Sequence, residues 1–487
     1  MEINRADSRP PHFRVLTEKQ CRELYLAALE CLRRVGVQVN QAEARQLLVE
    51  AGAKAEDNII RIPPRIIQEA LEKAPRSFSL WGRDRQSSIQ VTPGKVHFGP
   101  GPTCTHFIDP ETGARRKAQQ GDAGLTARVC DGLPNVDYAM SLCLFDDVVP
   151  VLSPVYEFAE MIVNTTKPVI AWANDLETLS DIYRIASTVA GGEDHLRKQP
   201  SFAYFTCYES PLRHPQGPIT NLLWAAEHGI PVVYLGGPTV GLESPFTGAS
   251  ALVIYLATVL SGLAIVQLKH PGAPMVLGGV LSVMDLRTAR PAYGSPEMSL
   301  YSAAAAELTQ YLGLPFMGTA GASESKLLDS QAAIESTLQV LLSSFSGASL
   351  IHDMGFLDCA DIGSLHLLVM VDEIIGMVKR IMRGIQVDQE AILLELIEQI
   401  GPGGNFITEP QSVSLCRKET WVPQLMDRNA YLIWAQAGSK SMEARVKDKL
   451  EKILKTHQPA PLPGGVVEAI DAILEQAELR EKRSVTS

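Results

Sequence analysis

The stretch LPFMGTAGASESKLLDSQAAIE, from Leu314 to Glu335, carries the pattern that decides the fold. Leu314 to Thr319 is a short apolar run of the kind that forms a strand buried on both faces. Gly318 and Gly321 interrupt it, and the residues from Ser330 onward take on helical spacing. Between the two elements Glu324, Ser325, Lys326, Asp329 and Gln331 crowd together. One strand, one polar loop and one helix make the repeating unit of an α/β protein. Whether the polar residues only cap the helix or also face a pocket depends on how often the unit recurs.

The strand candidates are KVHFGPG, VDYAMSLCL, PVIAWAN, FAYFTCY, PVVYLGG, MVLGGV, PFMGTAG and ASLIHDMG, eight in all, with helical runs such as SPVYEFAEMIVNTT and PEMSLYSAAAAELTQYLG between them. Strands this apolar, joined by helices, belong to a parallel sheet covered on both faces. Eight units favour closure into a (β/α)8 TIM barrel over an open doubly wound sheet. No GxGxxG opens a helix after the first strand, which weakens a dinucleotide site. We place the barrel at residues 95–385. Residues 1–94 read as a helical N-terminal extension, in which Thr17 caps and Gly36 stops LTEKQCRELYLAALECLRRVG, and SFSLWGRD is strand-like. Residues 386–487 read as a helical C-terminal extension, broken by GPGGNFITEPQS and the linker PAPLPGG. It is expected to pack on the barrel or to build the contact of a homo-oligomer.

Composition removes several classes. A content of 46% hydrophobic and 20% charged residues is that of a soluble globular protein. A net charge of −11, with no arginine-rich run, argues against nucleic acid as a partner. The polar start MEINRADSRPPHFRVL lacks a signal-peptide core, and the eight cysteines contain no CxxC pair, so a reducing cytoplasmic setting is expected. Ser244 to Leu268 carries no charge and is long enough to cross a membrane. Its many Gly, Ser and Thr residues favour a helix buried inside the protein instead, with no membrane partner.

In a TIM barrel, chemistry collects where strands end. That rule selects Trp172 and Asn174, Tyr204 and Tyr208 with Glu209, Tyr234, the loop quoted above, and His352, Asp353 and Phe356. No HxH, HExxH or HxC spacing occurs, so no bound metal is expected. His352 and Asp353 make a poor ligand pair, because adjacent strand residues point to opposite faces. GxSxG is missing as well. Lys326 is a Schiff-base candidate, although it lies in a loop where barrel aldolases place such a lysine on a strand. Each remaining residue also has a plain structural reading. His352 suits a hydrogen-bonded core position, the tyrosines suit packing, and Ser325 or Ser330 suits a helix cap, with Asp329 near the helix's positive end. The residues leave a mouth rich in aromatic rings, able to hold a small organic cation at up to ~2 kcal/mol per desolvated contact.

Several stretches carry a more specific signal. SPLRHPQGPITNLLWAAEHGIPVVYLGGPTVGLESP, GASALVIYLATVLSGLAIVQLKHPGAPMVLGG, MDLRTARPAYGSPE, GTAGASESKLLDSQAAIE, SGASLIHDMGFLD, VDEIIGMVKRIMRG and WVPQLMDRNAYLIWAQAG, in that order, resemble the trimethylamine:corrinoid methyltransferase family. The resemblance runs from about Asp137 to the C-terminal linker. It implies a (β/α)8 barrel that passes a methyl group from an amine to the cobalt of a separate corrinoid protein. The founding trimethylamine enzymes carry pyrrolysine. This chain has only the twenty standard residues, which places it beside the branch that resembles glycine betaine demethylases. It departs from the family at Asn405 and Gln411, near which a histidine is usual.

The resemblance implies a quaternary amine as substrate and a corrinoid (cobalamin) supplied by the partner protein. A quaternary nitrogen is already positive, so its methyl can leave to Co(I) with expulsion of a neutral tertiary amine and no proton delivered. On that basis Glu324 or Asp329 would place charge near the ammonium and Gln331 would position it. Tyr204, Trp172 and Phe356 would supply aromatic faces, and His352 would donate to a betaine carboxylate. Two other classes stay open at this point. One is a TIM-barrel lyase working through Lys326, and the other is a betaine-binding relative without catalysis.

Overall fold

A computed structural model describes residues 11–486. Seven of the eight expected strands form one wholly parallel sheet. They are His97–Phe98, Val169–Ala171, Phe202–Cys207, Val232–Leu235, Met275–Gly278, Phe316–Thr319 and Leu350–His352. We call them the first and the third to eighth barrel strands. The eighth pairs with the first, Ile351 opposite Phe98, so the sheet curls round on itself.

The second strand is the weak one. Residues 137–140 make only an isolated parallel bridge, Ala139 opposite Val169. Ala139 N–H donates to Pro168 at 2.9 Å, and Ile170 N–H donates to Ala139 at 3.0 Å. On the other side Asp137 N–H donates to the Phe98 carbonyl at 2.6 Å, while the Asp137 carboxylate accepts from Phe98 N–H at 2.9 Å. These bonds complete the ring.

Alternation along the strands sorts side chains into two cores. Tyr138, Met140, Ile170, Ala203, Phe205, Val233, Val276, Met317 and Leu350 fill the barrel interior. The residues between them, such as Tyr204, Tyr234 and Phe316, join the larger core between sheet and helices. The apolar helix Gly248–Lys269, without charge as far as Leu268, belongs to that outer core, with most of its length buried.

The N-terminal extension departs from the helical expectation. Its helices Glu18–Arg34, Ala42–Glu50 and Pro64–Lys73 alternate with strands Val37–Val39, Lys54–Glu56 and Ile59–Arg61. Three residues are too few to show as a period of two, which is why the sequence reads as helix alone. SFSLWGRD begins a hairpin of Phe78–Trp81 against Ser88–Val91. Leu80, Ile89 and Val91 enter the barrel interior from the end where strands begin, since Trp81 N–H meets Pro200 and Ser349 Oγ meets Thr92. The hairpin is the floor of the barrel.

A half-buried lysine fixes the turn into the second strand. Lys167 Nζ donates to the carbonyls of Cys130, Leu133 and Val136 at 2.6–2.7 Å. Burial pushes its pKa down, against the pull of nearby Asp137, Asp131 and Asp372. Lys167→Met leaves the Leu133 and Val136 carbonyls without this donor and the Cys130 carbonyl with only the 3.3 Å bond from Leu133 N–H, and a loss of roughly 3 kcal/mol is expected from a urea unfolding midpoint.

Candidate active site

The eighth strand ends in a turn that breaks its alternation. His352 points into the barrel, opposite Thr319 of the seventh strand and edge-on to Phe205, with ring centroids 6.1 Å apart. The next residue should point outward. Asp353 instead adopts φ +76°, a left-handed conformation unusual for aspartate, and its carboxylate comes to the same place. Asp353 Oδ1 lies 2.5 Å from His352 Nδ1, off the hydrogen-bonding line, so the imidazole nitrogen keeps no aligned partner. Thr319 Oγ1 donates to the other carboxylate oxygen. Both His352 and Asp353 are buried.

Glycines make the room. A Cβ on Gly101 would stand 2.3 Å from Asp353 Oδ1 and 2.4 Å from the Phe356 ring, and one on Gly99 would enter the Tyr138 ring. The GPG of the first strand is therefore a bed for this corner. The negative field of Asp353 reaches several elements. Tyr138, Tyr293 and Cys207 all have raised pKa values, first through burial and then through Asp353, and Cys207 is pushed up to about 12. Cys207, at the tip of the fourth strand, is nonetheless open to solvent within the mouth.

Trp172 follows the third strand with its side chain against the interior core, and its indole N–H donates to Glu157 at 2.7 Å. Glu157 sits on the helix Ser153–Asn164, is buried, and also accepts from Ser153 Oγ at 2.9 Å. Burial raises its pKa to about 7, against the hydrogen bonds from Trp172 and Ser153 that lower it.

The rim is built from loops. Phe356–Leu357, Ile362–Gly363, His106–Ile108 and Arg115–Lys117 form a four-stranded sheet beside the mouth. Asp358, Cys359 and Ala360, its turn, are all left-handed, with φ of 49°, 56° and 65°. Arg290 holds Asp358 at 2.9 Å, and Asp358 N–H donates to Ser325 at 2.9 Å.

Of the residues expected from sequence, His352, Trp172 and Phe356 lie at this end of the barrel. Phe356 is fully buried and forms wall rather than surface. Tyr204 does not face the mouth. It lies between inward Ala203 and Phe205 and turns to the helical layer, near Asn221 and Thr206. Tyr234 does the same and hydrogen-bonds His214 at 2.7 Å. The loop quoted at the outset is mostly rim and cap. Asp329 is exposed and caps the helix Ser330–Phe345 by accepting from Ala332 N–H at 3.0 Å. Gln331 is exposed and donates to Glu335 at 2.9 Å, and the Glu324 N–H donates to the same carboxylate at 2.8 Å. Lys326 is exposed, 3.3 Å from Asp358. Asn405 and Gln411 are both exposed in the C-terminal extension. Among the described residues no three His, Cys, Asp or Glu side chains converge as a metal site.

Sequence reasoning misses two residues and gives a third no role. Asp353 is on the short list, but strand alternation, which its own backbone violates, separates it from His352. Glu157 lies in a helix, where a single carboxylate gives no signal. Gln339, buried, donates to Tyr293 O and accepts from Ala322 N–H, bracing two mouth loops.

A pH prediction follows from Glu157. Below its ordinary value of 4.5 the carboxyl is protonated in both the folded and unfolded chains. Between there and about 7 the unfolded chain gives up the proton and the folded one keeps it, so its burial costs progressively more as pH rises. Glu157→Gln removes the cost. Its melting temperature is expected to gain on the wild type by more at pH 8 than at pH 5.

Comparison with known proteins agrees with this architecture. The family model described as trimethylamine methyltransferase (MTTB) matches residues 2–480. A trimethylamine methyltransferase of Methanosarcina barkeri is 33% identical, with 95% of each chain covered. A glycine betaine methyltransferase of Desulfitobacterium hafniense is 26% identical, covering 96% of this chain and 97% of its own. The crystal structure of the Methanosarcina barkeri monomethylamine methyltransferase shares the fold, with TM-score 0.52, 13% identity, and 91% and 89% of the two chains covered. With an architecture and a length of match such as these, the chain belongs to the trimethylamine methyltransferase family, and it is a methyltransferase.

Proposed function

We propose that this methyltransferase takes a methyl group from a quaternary amine of the glycine betaine type and passes it to the Co(I) of a cognate corrinoid protein, in the cytoplasm. The observation that carries the reading is the buried Asp353 carboxylate, turned by a left-handed backbone into an aromatic corner of the barrel mouth. The absence of any residue outside the standard twenty supports the quaternary-amine branch over the trimethylamine enzymes. So does the glycine betaine relative.

The partner's Co(I) supplies the nucleophile. This chain's residues bind and orient. Asp353 sets a negative charge against the ammonium, and the faces of Trp172 and Phe205 exclude water around its methyl groups. The unpartnered His352 Nδ1 donates to the carboxylate of a betaine. As the carbon–nitrogen bond breaks, its electron pair stays on nitrogen and the amine leaves neutral. Positioning carries the rate enhancement.

The test is a panel of quaternary and tertiary amines with the partner protein reduced to Co(I), followed in the cobalt absorption spectrum. A betaine is expected to transfer fastest, and trimethylamine outpacing every betaine would overturn the reading. Asp353→Asn should cut kcat/KM by about 100-fold, near 3 kcal/mol of transition-state stabilisation. His352→Ala should raise KM for a betaine but leave KM for a quaternary amine lacking a carboxylate unchanged.

A further inference from the structure

One buried carboxylate near the mouth has no cation of its own. Glu157 is 1% exposed, and its oxygens meet neutral donors, the Trp172 indole N–H at 2.7 Å and the Ser153 hydroxyl at 2.9 Å. Among the described residues no charged group faces it from the elements packed around its helix Ser153–Asn164. The charges there are committed elsewhere. Glu160 of the same helix accepts from Gln120 of the helix Gln120–Gly132 at 3.2 Å, and Asp147 accepts from Gln120 N–H at 2.9 Å. Asp181 of the helix Leu176–Ala190 pairs with Arg184 and Arg480, and Tyr156 bonds Glu478 of the C-terminal helix. A glutamine would accept the same two bonds without the cost of burying a charge. The charge itself therefore needs a use.

Trp172 carries that charge to the mouth. It follows Ala171, the partner of Tyr204, which sets it beside Phe205 of the fourth strand and against the barrel interior. Phe205 in turn meets the His352 ring edge-on. An indole whose N–H donates to an anion is polarised by it, and its enriched face is where a cation is held. We infer that Glu157 is a positioning residue for the ammonium: it locks the Trp172 ring and polarises it, so that the ring face binds a quaternary nitrogen more tightly when the carboxylate is ionised. This rests on the quaternary-amine reading of the mouth. By reciprocity, a cation seated on Trp172 favours the ionised carboxylate and sends the Glu157 proton to solvent. Burial holds that proton up to about pH 7, so the exchange falls in neutral solution.

The experiment is calorimetric titration of the full-length protein with glycine betaine at pH 7, in two buffers of different ionisation enthalpy, which counts the protons released per ligand bound. A coupling of about fivefold, the low end for linked sites, frees about a third of a proton from Glu157. The wild type is expected to release about that much more than Glu157→Gln, which keeps both hydrogen bonds, and more than Trp172→Phe, which removes the link. Its affinity is expected to rise about threefold more between pH 6 and pH 8 than that of either variant. Melting curves show which variants are folded, and either one alone decides. Equal proton release and equal pH dependence in the wild type and a folded variant overturn the inference and leave the substrate reading standing. No binding of glycine betaine at any pH overturns both.

Discussion

Every part of the mouth depends on how the ring closes beside the first strand. A barrel has no free edge only if each strand finds two neighbours, and the second position offers one bridge where a ladder should be. Asp137 compensates with two groups. Its N–H and its carboxylate take both polar groups of the Phe98 peptide positions, 2.6 Å and 2.9 Å away. Lys379 lies 3.5 Å from that carboxylate and 5.4 Å from the centre of the Phe98 ring. The closure seats Gly99 against Tyr138 and Gly101 against Asp353. Without it the corner that gathers His352, Asp353 and Phe356 would lack one wall.

The mouth also stores strain. Asp353 and the run from Asp358 to Ala360 hold left-handed conformations that cost about 1 to 3 kcal/mol each without glycine. The surrounding contacts over-determine them. The Thr319 hydroxyl grips Asp353, while Arg290 and Ser325 grip Asp358. Such strain keeps the carboxylate oriented before any ligand arrives, so little reorganisation remains for binding.

Much of this was legible in the residues themselves. Apolar runs separated by glycine-marked loops specify the eight units, because a strand buried on both faces cannot tolerate polar positions. The same rule placed Trp172 and His352 near the mouth. It failed at Tyr204, where the residue type suggested a site and the alternation with Ala203 and Phe205 sent it outward. It failed again at Asp353, where alternation was trusted one residue past the end of the strand. The cap at Asp329 is a local property and was readable. The bond from Trp172 to Glu157 joins a strand tip to the preceding helix, and no local pattern announces it.

The hairpin under the barrel has a kinetic meaning. Leu80, Ile89 and Val91 seal the end where the strands begin. A small molecule that reaches the interior of this fold therefore enters and departs through one doorway. Any protein partner that docks across that doorway shuts the molecule in, so the small ligand must be seated first and its remnant released last. The floor thus imposes a compulsory order of association that no residue of the mouth would reveal on its own.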